Sequence, residues 1–92
     1  MSDIKKGNRK FYIGDDEQAP IAEITFKPKD ANTIIVDHTY VSEELRGQGI
    51  AGELVKVVTD YARKEGKMIV PLCPYVESKM QHTKEYHDLI AK

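Results

Sequence analysis

The chain of 92 residues contains no tryptophan, one cysteine and no long apolar run, and each absence excludes a class of protein. A single cysteine cannot form an intramolecular disulfide, which excludes a small fold held together by disulfides. No stretch approaches the roughly 20 apolar residues that a membrane-spanning helix needs. Residues 1–6 lack the apolar region of a secretory signal, so we expect a cytoplasmic protein without a membrane partner.

The chain also has little excess charge of either sign, since 14 basic and 15 acidic residues give a net charge of −1. A nucleic-acid-binding surface usually shows a basic excess or stripe, so we expect no nucleic-acid partner. A short basic cluster near the N-terminus comprises Lys5, Lys6, Arg9 and Lys10. Such a run is more often a solvated end than a binding arm. We expect one domain over residues 1–92, with residues 1–9 flexible.

The spacing of apolar residues predicts an α+β fold. Residues 21–27 alternate between apolar and polar, and residues 33–41 form a β-branched run. Together with a first strand and short turns, they indicate an antiparallel three-strand meander. A helix ending at Gly66 then joins the third strand to a fourth, which we expect to run parallel to it. The predicted elements are strands at 10–14, 21–27 and 33–41, a helix at 50–65, a strand at 67–72, and short C-terminal helices or turns at 75–81 and 84–91.

The most informative segment is the glycine-rich turn between the third strand and the helix. Glycine lacks a Cβ atom, so Gly47, Gly49 and Gly52 allow a ligand to approach the backbone closely. The helix that follows begins with unpaired N–H groups at its positive end. A turn of this composition is often only a turn, but its position and Arg46 favour an anion site. The segment matches neither the dinucleotide-binding fingerprint nor a Walker loop.

This segment resembles the acyl-CoA motif of the GNAT superfamily of N-acetyltransferases, Arg/Gln-x-x-Gly-x-Gly/Ala. The residues that carry the resemblance are Arg46-Gly47-Gln48-Gly49-Ile50-Ala51. Two more blocks, Asp37-His38-Thr39 and Leu72-Cys73-Pro74-Tyr75-Val76, are similar to blocks of the minimal, single-domain GNAT-like proteins. The resemblance covers residues 11–90 and implies a small GNAT-like fold with an acetyl-CoA-dependent acyltransferase activity.

The resemblance also implies where acetyl-CoA would bind. In GNAT proteins the cofactor lies between the strands before and after the motif helix, with its pyrophosphate on the glycine-rich loop. A backbone N–H near Tyr40 or Val41 would then polarise the thioester carbonyl. The implied cofactor-binding residues are Thr39, Tyr40, Val41, Arg46, Gly47, Gln48, Gly49, Ile50, Ala51 and Gly52.

Cys73 is the first candidate catalytic residue. It follows a predicted strand and precedes Pro74 at a predicted helix start, where a thiol pKa is lowered and the thiolate is the nucleophile. It could accept the acetyl group from CoA and form an acetyl-enzyme. The alternative is that a lone cysteine serves as a small buried apolar residue.

His38 is the second candidate, as a base acting on an amine or a thiol. The alternative is that it forms hydrogen bonds and fills space in its strand. Strict alternation puts Asp37 and His38 on opposite faces, so they are not expected to act as a dyad, unless a bulge after Asp37 changes the face. Tyr75 and Tyr86 could donate a proton to the departing CoA thiolate or simply pack.

The acceptor is expected to be an amine of a small molecule or a protein, and its identity is open. We expect a monomer or a weak homodimer, and no metal, because the histidines and the cysteine lack paired ligand spacing. The alternative functions are a CoA-binding module without turnover that acts through a protein partner, and an interaction protein without a ligand.

Overall fold

The computed structural model describes residues 3–91 and contains one sheet of five strands in the order β1-β2-β3-β4-β5. The strands β1 to β4 form an antiparallel meander, and β5 pairs with β4 in parallel. The predicted α+β fold is therefore confirmed. The elements are β1 (Lys5–Gly7), β2 (Lys10–Ile13), β3 (Ala22–Asp30), β4 (Thr33–Val41), a 3₁₀ turn (Glu43–Leu45), α1 (Ile50–Glu65), β5 (Met68–Pro71), α2 (Pro74–Gln81) and a 3₁₀ helix (Lys84–Leu89).

The N-terminal strand β1 is the main departure from the sequence-based prediction. The sequence predicted no strand before residue 10, but Lys5–Gly7 pair with β2 in a tight hairpin. The flexibility expected for residues 1–9 stays a prediction. This strand has no alternating apolar pattern. It is held instead by main-chain pairing with β2 and by a hydrogen bond from Lys5 Nζ to the Gly14 carbonyl (3.0 Å). Met1 and Ser2 lie outside the described residues. No helix in the described part of the chain is long and apolar enough to cross a membrane.

The core lies on one face of the sheet, under α1. Alternate residues of β3 point inward, and Ile24 is fully buried against the apolar side of α1. Every buried residue of the described strands lies on this face. The opposite face carries half-buried and exposed side chains, many of them polar, and is called the open face below. The core residues are Phe11, Ala22, Ile24, Phe26, Ile34, Val36, Ile50, Leu54, Val55, Val58, Ala62, Ile69, Val76, Met80 and Leu89.

A β-bulge at Asp37 reverses the inward and outward pattern of β4. Thr25 pairs with His38 while Phe26 pairs with Val36, so Asp37 is an extra residue in the strand. Before the bulge Val36 points into the core. After it, His38 lies beside Thr25 on the open face and is exposed.

The bulge also places Asp37 on the open face, because its carboxylate accepts a hydrogen bond from the Thr25 hydroxyl (2.6 Å). The expectation that Asp37 and His38 lie on opposite faces is therefore wrong, for the reason that alternation fails where a strand carries an extra residue. Beyond the bulge, Thr39 and Val41 pair with the buried Ile24 and Ala22 and face the core side.

Candidate functional site

The strands β4 and β5 separate at the bulge. Their regular pairing ends with Val36 opposite Pro71, and the next two amides, of Leu72 and Cys73, both donate to the Val36 carbonyl (3.0 and 3.1 Å). β4 continues to Val41 without a neighbour on this side. This leaves an interstrand opening, whose residues are Thr39, Tyr40, Val41, Leu72 and Cys73.

Cys73 and Thr39 face each other across this opening. The Cys73 sulfur lies 3.6 Å from the Thr39 hydroxyl oxygen, on the core side of the sheet, and the thiol is half-buried at the start of α2. Burial raises the pKa of the Cys73 thiol, but the backbone N–H of Val76, the Thr39 hydroxyl and the backbone N–H groups of Tyr75 and Thr39 outweigh burial. The net result is a lowered pKa. The thiolate, which is the nucleophilic form of cysteine, therefore forms more readily here than in a free thiol.

His38 is not brought to Cys73. It lies on the open face, whereas the Cys73 sulfur lies beside Thr39 on the core side. Its side chain forms no hydrogen bond within residues 3–91, and this includes its neighbour Asp37, whose carboxylate bonds to Thr25. The two candidate catalytic residues therefore flank the sheet from opposite sides, so direct proton transfer between them is not built into the fold.

The glycine-rich loop presents bare backbone at the start of α1. Gly47 (φ 82°) and Gly49 (φ 77°) have left-handed backbone conformations, which glycine adopts without steric cost. A Cβ atom added at either position would meet nothing within 4 Å, so the space above the loop is free for a ligand. Gly49 is the N-cap of α1 and supplies no side-chain acceptor. The first N–H groups of the helix, from Ile50 onward, are therefore free to bind an anion.

The side chains of Arg46 and Gln48 form hydrogen bonds to backbone carbonyls next to the loop. Arg46 Nε donates to the Val41 carbonyl (3.1 Å), and Gln48 Nε2 donates to the Glu44 carbonyl (3.3 Å). Both residues are exposed. Their observed contacts hold the loop in shape.

A pocket of about 240 Å³ lies over this loop. It is smaller than the roughly 300 Å³ at the low end of small-molecule sites, so it suits part of a ligand better than a whole one. Of the predicted cofactor-binding residues, Thr39, Tyr40 and Gln48 do not line it. Leu45 and Tyr75 do, although they were not predicted as cofactor-binding residues. The lining residues are Val41, Leu45, Arg46, Gly47, Gly49, Ile50, Ala51, Gly52 and Tyr75.

Lys79 lies beside Gly52, which lines this pocket, and is not among the predicted cofactor-binding residues. A Cβ atom added at Gly52 would lie 3.7 Å from Lys79 Cε, 3.8 Å from Lys79 Nζ and 3.9 Å from the Tyr75 hydroxyl. The ammonium group therefore stands beside the first turn of α1, where the helix dipole is already positive. Within the described residues it forms no ion pair. A cation at this position fits a site that is completed by a bound anion.

Residues 10–89 match the family model of the GCN5-related N-acetyltransferases. A GCN5-like protein from Staphylococcus aureus, solved in solution by NMR, is 42% identical; the match covers 97% of this chain and 87% of that chain, with a TM-score of 0.82. A search of curated proteins found no match. Among residues 3–91 no three potential ligands are grouped to hold a metal ion.

Two further solved structures share the fold at 23% identity. One is a GNAT family acetyltransferase from Elizabethkingia anophelis with acetyl-CoA bound, with a TM-score of 0.54 over 65% of this chain and 39% of that chain. The other is a ribosomal-protein-alanine N-acetyltransferase from Brucella melitensis biovar Abortus 2308, with a TM-score of 0.50 over 90% of this chain and 62% of that chain.

Proposed function

We propose that this protein transfers the acetyl group of acetyl-CoA to an amine. The chain belongs to the GCN5-related N-acetyltransferase family, which supports this activity. The observation that carries the proposal is the combination of two features along β4. An open glycine loop lies at its end, and a thiol with a lowered pKa lies in the interstrand opening beside it. The first suits the phosphates of CoA, and the second suits its thioester.

The pyrophosphate of CoA would bind over the loop. The N–H groups of Gly49, Ile50 and Ala51 would donate to it, helped by the positive end of α1. Lys79 would add a full positive charge from the side of α2. Hydrogen bonds to a charged partner contribute about 1.5–3 kcal/mol each, so a few such contacts can supply most of the free energy of pyrophosphate binding.

The pantetheine arm would run from the loop into the interstrand opening. The edge of β4 that faces away from β3 has no strand neighbour over Thr39 to Val41. Its backbone groups that are not bonded to Cys73 or Arg46 can pair with the amides of the arm. This path leads from the pocket at Val41 to Cys73. A backbone N–H of this strand would stabilise the oxyanion that forms at the thioester carbonyl.

The chemistry we propose passes through Cys73. Its thiolate attacks the acetyl carbon; a new S–C bond forms, the thioester bond to CoA breaks, and CoA leaves as a thiolate. An amine then attacks the acetyl-cysteine. The N–C bond forms, the Cys73 thiolate departs, and the amine loses a proton.

The acceptor would reach the acetyl group through the interstrand opening, coming from the open face. His38 is exposed there, beside Asp37, and can take the proton of the amine without touching the thiol. Neither helix of the core lies on this face, so the acceptor site is wide, which suits a side chain or terminus of a protein as well as a small amine.

Intact mass spectrometry tests the proposal. Incubation with acetyl-CoA should add one acetyl group, and Cys73→Ala should abolish the addition. Hydroxylamine should remove the group, since a thioester is labile where an amide is not. Cys73→Ala must still bind CoA, which separates a lost nucleophile from lost packing. An adduct on a lysine, or transfer by Cys73→Ala at the wild-type rate, would show that the amine attacks acetyl-CoA directly.

A further inference from the structure

The basic residues near the N-terminus divide into two groups when the chain folds. Lys5 and Lys10 use their ammonium groups inside the fold: Lys5 donates to a backbone carbonyl (3.0 Å) and Lys10 pairs with Glu23 (3.0 Å). Lys6 and Arg9 lie elsewhere and form no ion pair within residues 3–91. Neither of these two cations therefore has an anionic partner in the part of the chain that the structure describes.

Lys6 and Arg9 instead line a cavity of about 250 Å³, together with Lys67 from the turn before β5. None of the lining residues is acidic. Lys67 likewise forms no ion pair with the described residues. Three cations around one cavity repel each other, and an anion that lies between them would relieve this repulsion.

The floor of this cavity is aromatic. The rings of Phe26 and Tyr61 lie 5.3 Å apart between centroids at 37°, and the ammonium of Lys6 stands 5.6 Å from the Tyr61 centroid. Phe26 is buried in the core, so the ring that a ligand can contact is that of Tyr61, by offset stacking beside the Lys6 ammonium. The cavity thus combines an aromatic floor with a cationic rim.

Arg9 occupies a backbone position that does not favour arginine. Its φ of 61° is left-handed, at the second position of the two-residue turn between β1 and β2, where glycine or asparagine is usual. Glycine would adopt this backbone conformation with less strain. A carboxylate does reach this turn, since Glu17 accepts the N–H of Asn8 (2.7 Å), but it does not line the cavity or pair with Arg9.

We propose that this cavity, termed the basic pocket (Lys6, Arg9, Phe26, Tyr61 and Lys67), binds a small aromatic anion such as an aryl phosphate or an aryl carboxylate. The rim cations hold the anionic group and the aromatic floor holds the ring. The pocket lies where β4 begins, about 23 Å along the strand from the glycine loop, at the usual rise per residue. It is therefore a second site, and the inference does not depend on the proposed acetyl transfer.

Phenyl phosphate is the probe, and amide chemical shifts in the 15N-labelled protein are the readout. We expect saturable shifts at Gly7, Asn8 and Lys67; any shifts at Gly47 and Gly49 would report separate phosphate binding at the glycine loop. Inorganic phosphate tests the anion alone and phenol the ring alone. Each should bind at least about fivefold more weakly, since an exposed charge or a single stacking contact contributes about 1 kcal/mol.

Matched variants assign the site. Lys67→Gln and Arg9→Gly should each weaken phenyl phosphate about fivefold, and Arg9→Gly also removes the backbone strain, so a folding defect is not expected. Lys64→Gln, an exposed lysine outside the cavity, should bind as the wild type does. Equal weakening by all three variants, equal binding of inorganic phosphate and phenyl phosphate, or no shift at these amides would overturn the proposal.

Discussion

Two glycines at opposite ends of α1 allow ligand occlusion to be separated from backbone strain. Gly49 precedes the helix with φ 77° and Gly66 follows it with φ 70°. A Cβ atom at either position would meet nothing within 4 Å. Replacing either by alanine therefore costs only the left-handed strain, about 1 kcal/mol. In a domain of this size, that lowers the Tm by about 4–8 °C.

CoA binding should distinguish the two variants. In Gly49→Ala the new methyl group enters the space above the loop, where the phosphates would contact the N–H groups. Loss of one charge-assisted hydrogen bond costs about 1.5–3 kcal/mol, which weakens CoA by at least about tenfold. Gly66→Ala places the same methyl group at the far end of the helix and should bind CoA normally.

Thermal unfolding and titration calorimetry with CoA measure both effects. The expected pattern is a similar fall in Tm for the two variants and a loss of affinity in Gly49→Ala alone. Wild-type affinity in a folded Gly49→Ala would refute a phosphate site over the loop. An equal loss in Gly66→Ala would refute it too, because strain transmitted through the helix would then explain both.

Three further outcomes are expected. Lys79→Gln should lower the affinity for CoA about fivefold and make that affinity less dependent on salt. Lys56→Gln, at an exposed lysine paired with Asp60, should change neither the affinity nor its salt dependence, and equal effects of both variants would contradict a role for Lys79. The lowered pKa of Cys73 should let iodoacetamide react with it at a lower pH than with a free thiol. The free energy of unfolding of the wild type, relative to Cys73→Ala, should rise as pH rises from the lowered pKa to the ordinary thiol pKa of about 8.5, and should fall again as pH falls. An alkylation midpoint at or above about pH 8.5 would contradict the lowered pKa. His38→Gln should leave acetylation of Cys73 unchanged and slow transfer to an amine, and slower acetylation would place His38 at the thiol instead.

The sequence predicted the elements that carry strong apolar periodicity. The helix over residues 50–65 and the strand over residues 33–41 match α1 and β4 at both ends. The helix repeats its apolar residues at helical spacing over several turns, and the strand is a run of β-branched residues, so both patterns are strong. The strand β1 could not be found this way, because its polar residues are held by main-chain pairing.

The candidate site shows the same division. The loop was visible in the sequence because its glycines are needed for backbone conformation at Gly47 and Gly49. The relative placement of His38 and Cys73 was not, because it depends on one extra residue in β4, and a bulge has no strong sequence signal. Lys79 reaches the loop only through the packing of α2 against α1, which no local pattern encodes.

The central claim is that acetyl-CoA lies along β4, from the glycine loop to the Cys73 thiol. Titration of the 15N-labelled protein with acetyl-CoA tests it most directly, by following each amide signal. The account predicts saturable shifts at Gly47 and Gly49 and at Thr39 and Cys73, with Gly66 unmoved. Shifts confined to other surfaces, or no saturable shift at millimolar acetyl-CoA, would contradict it.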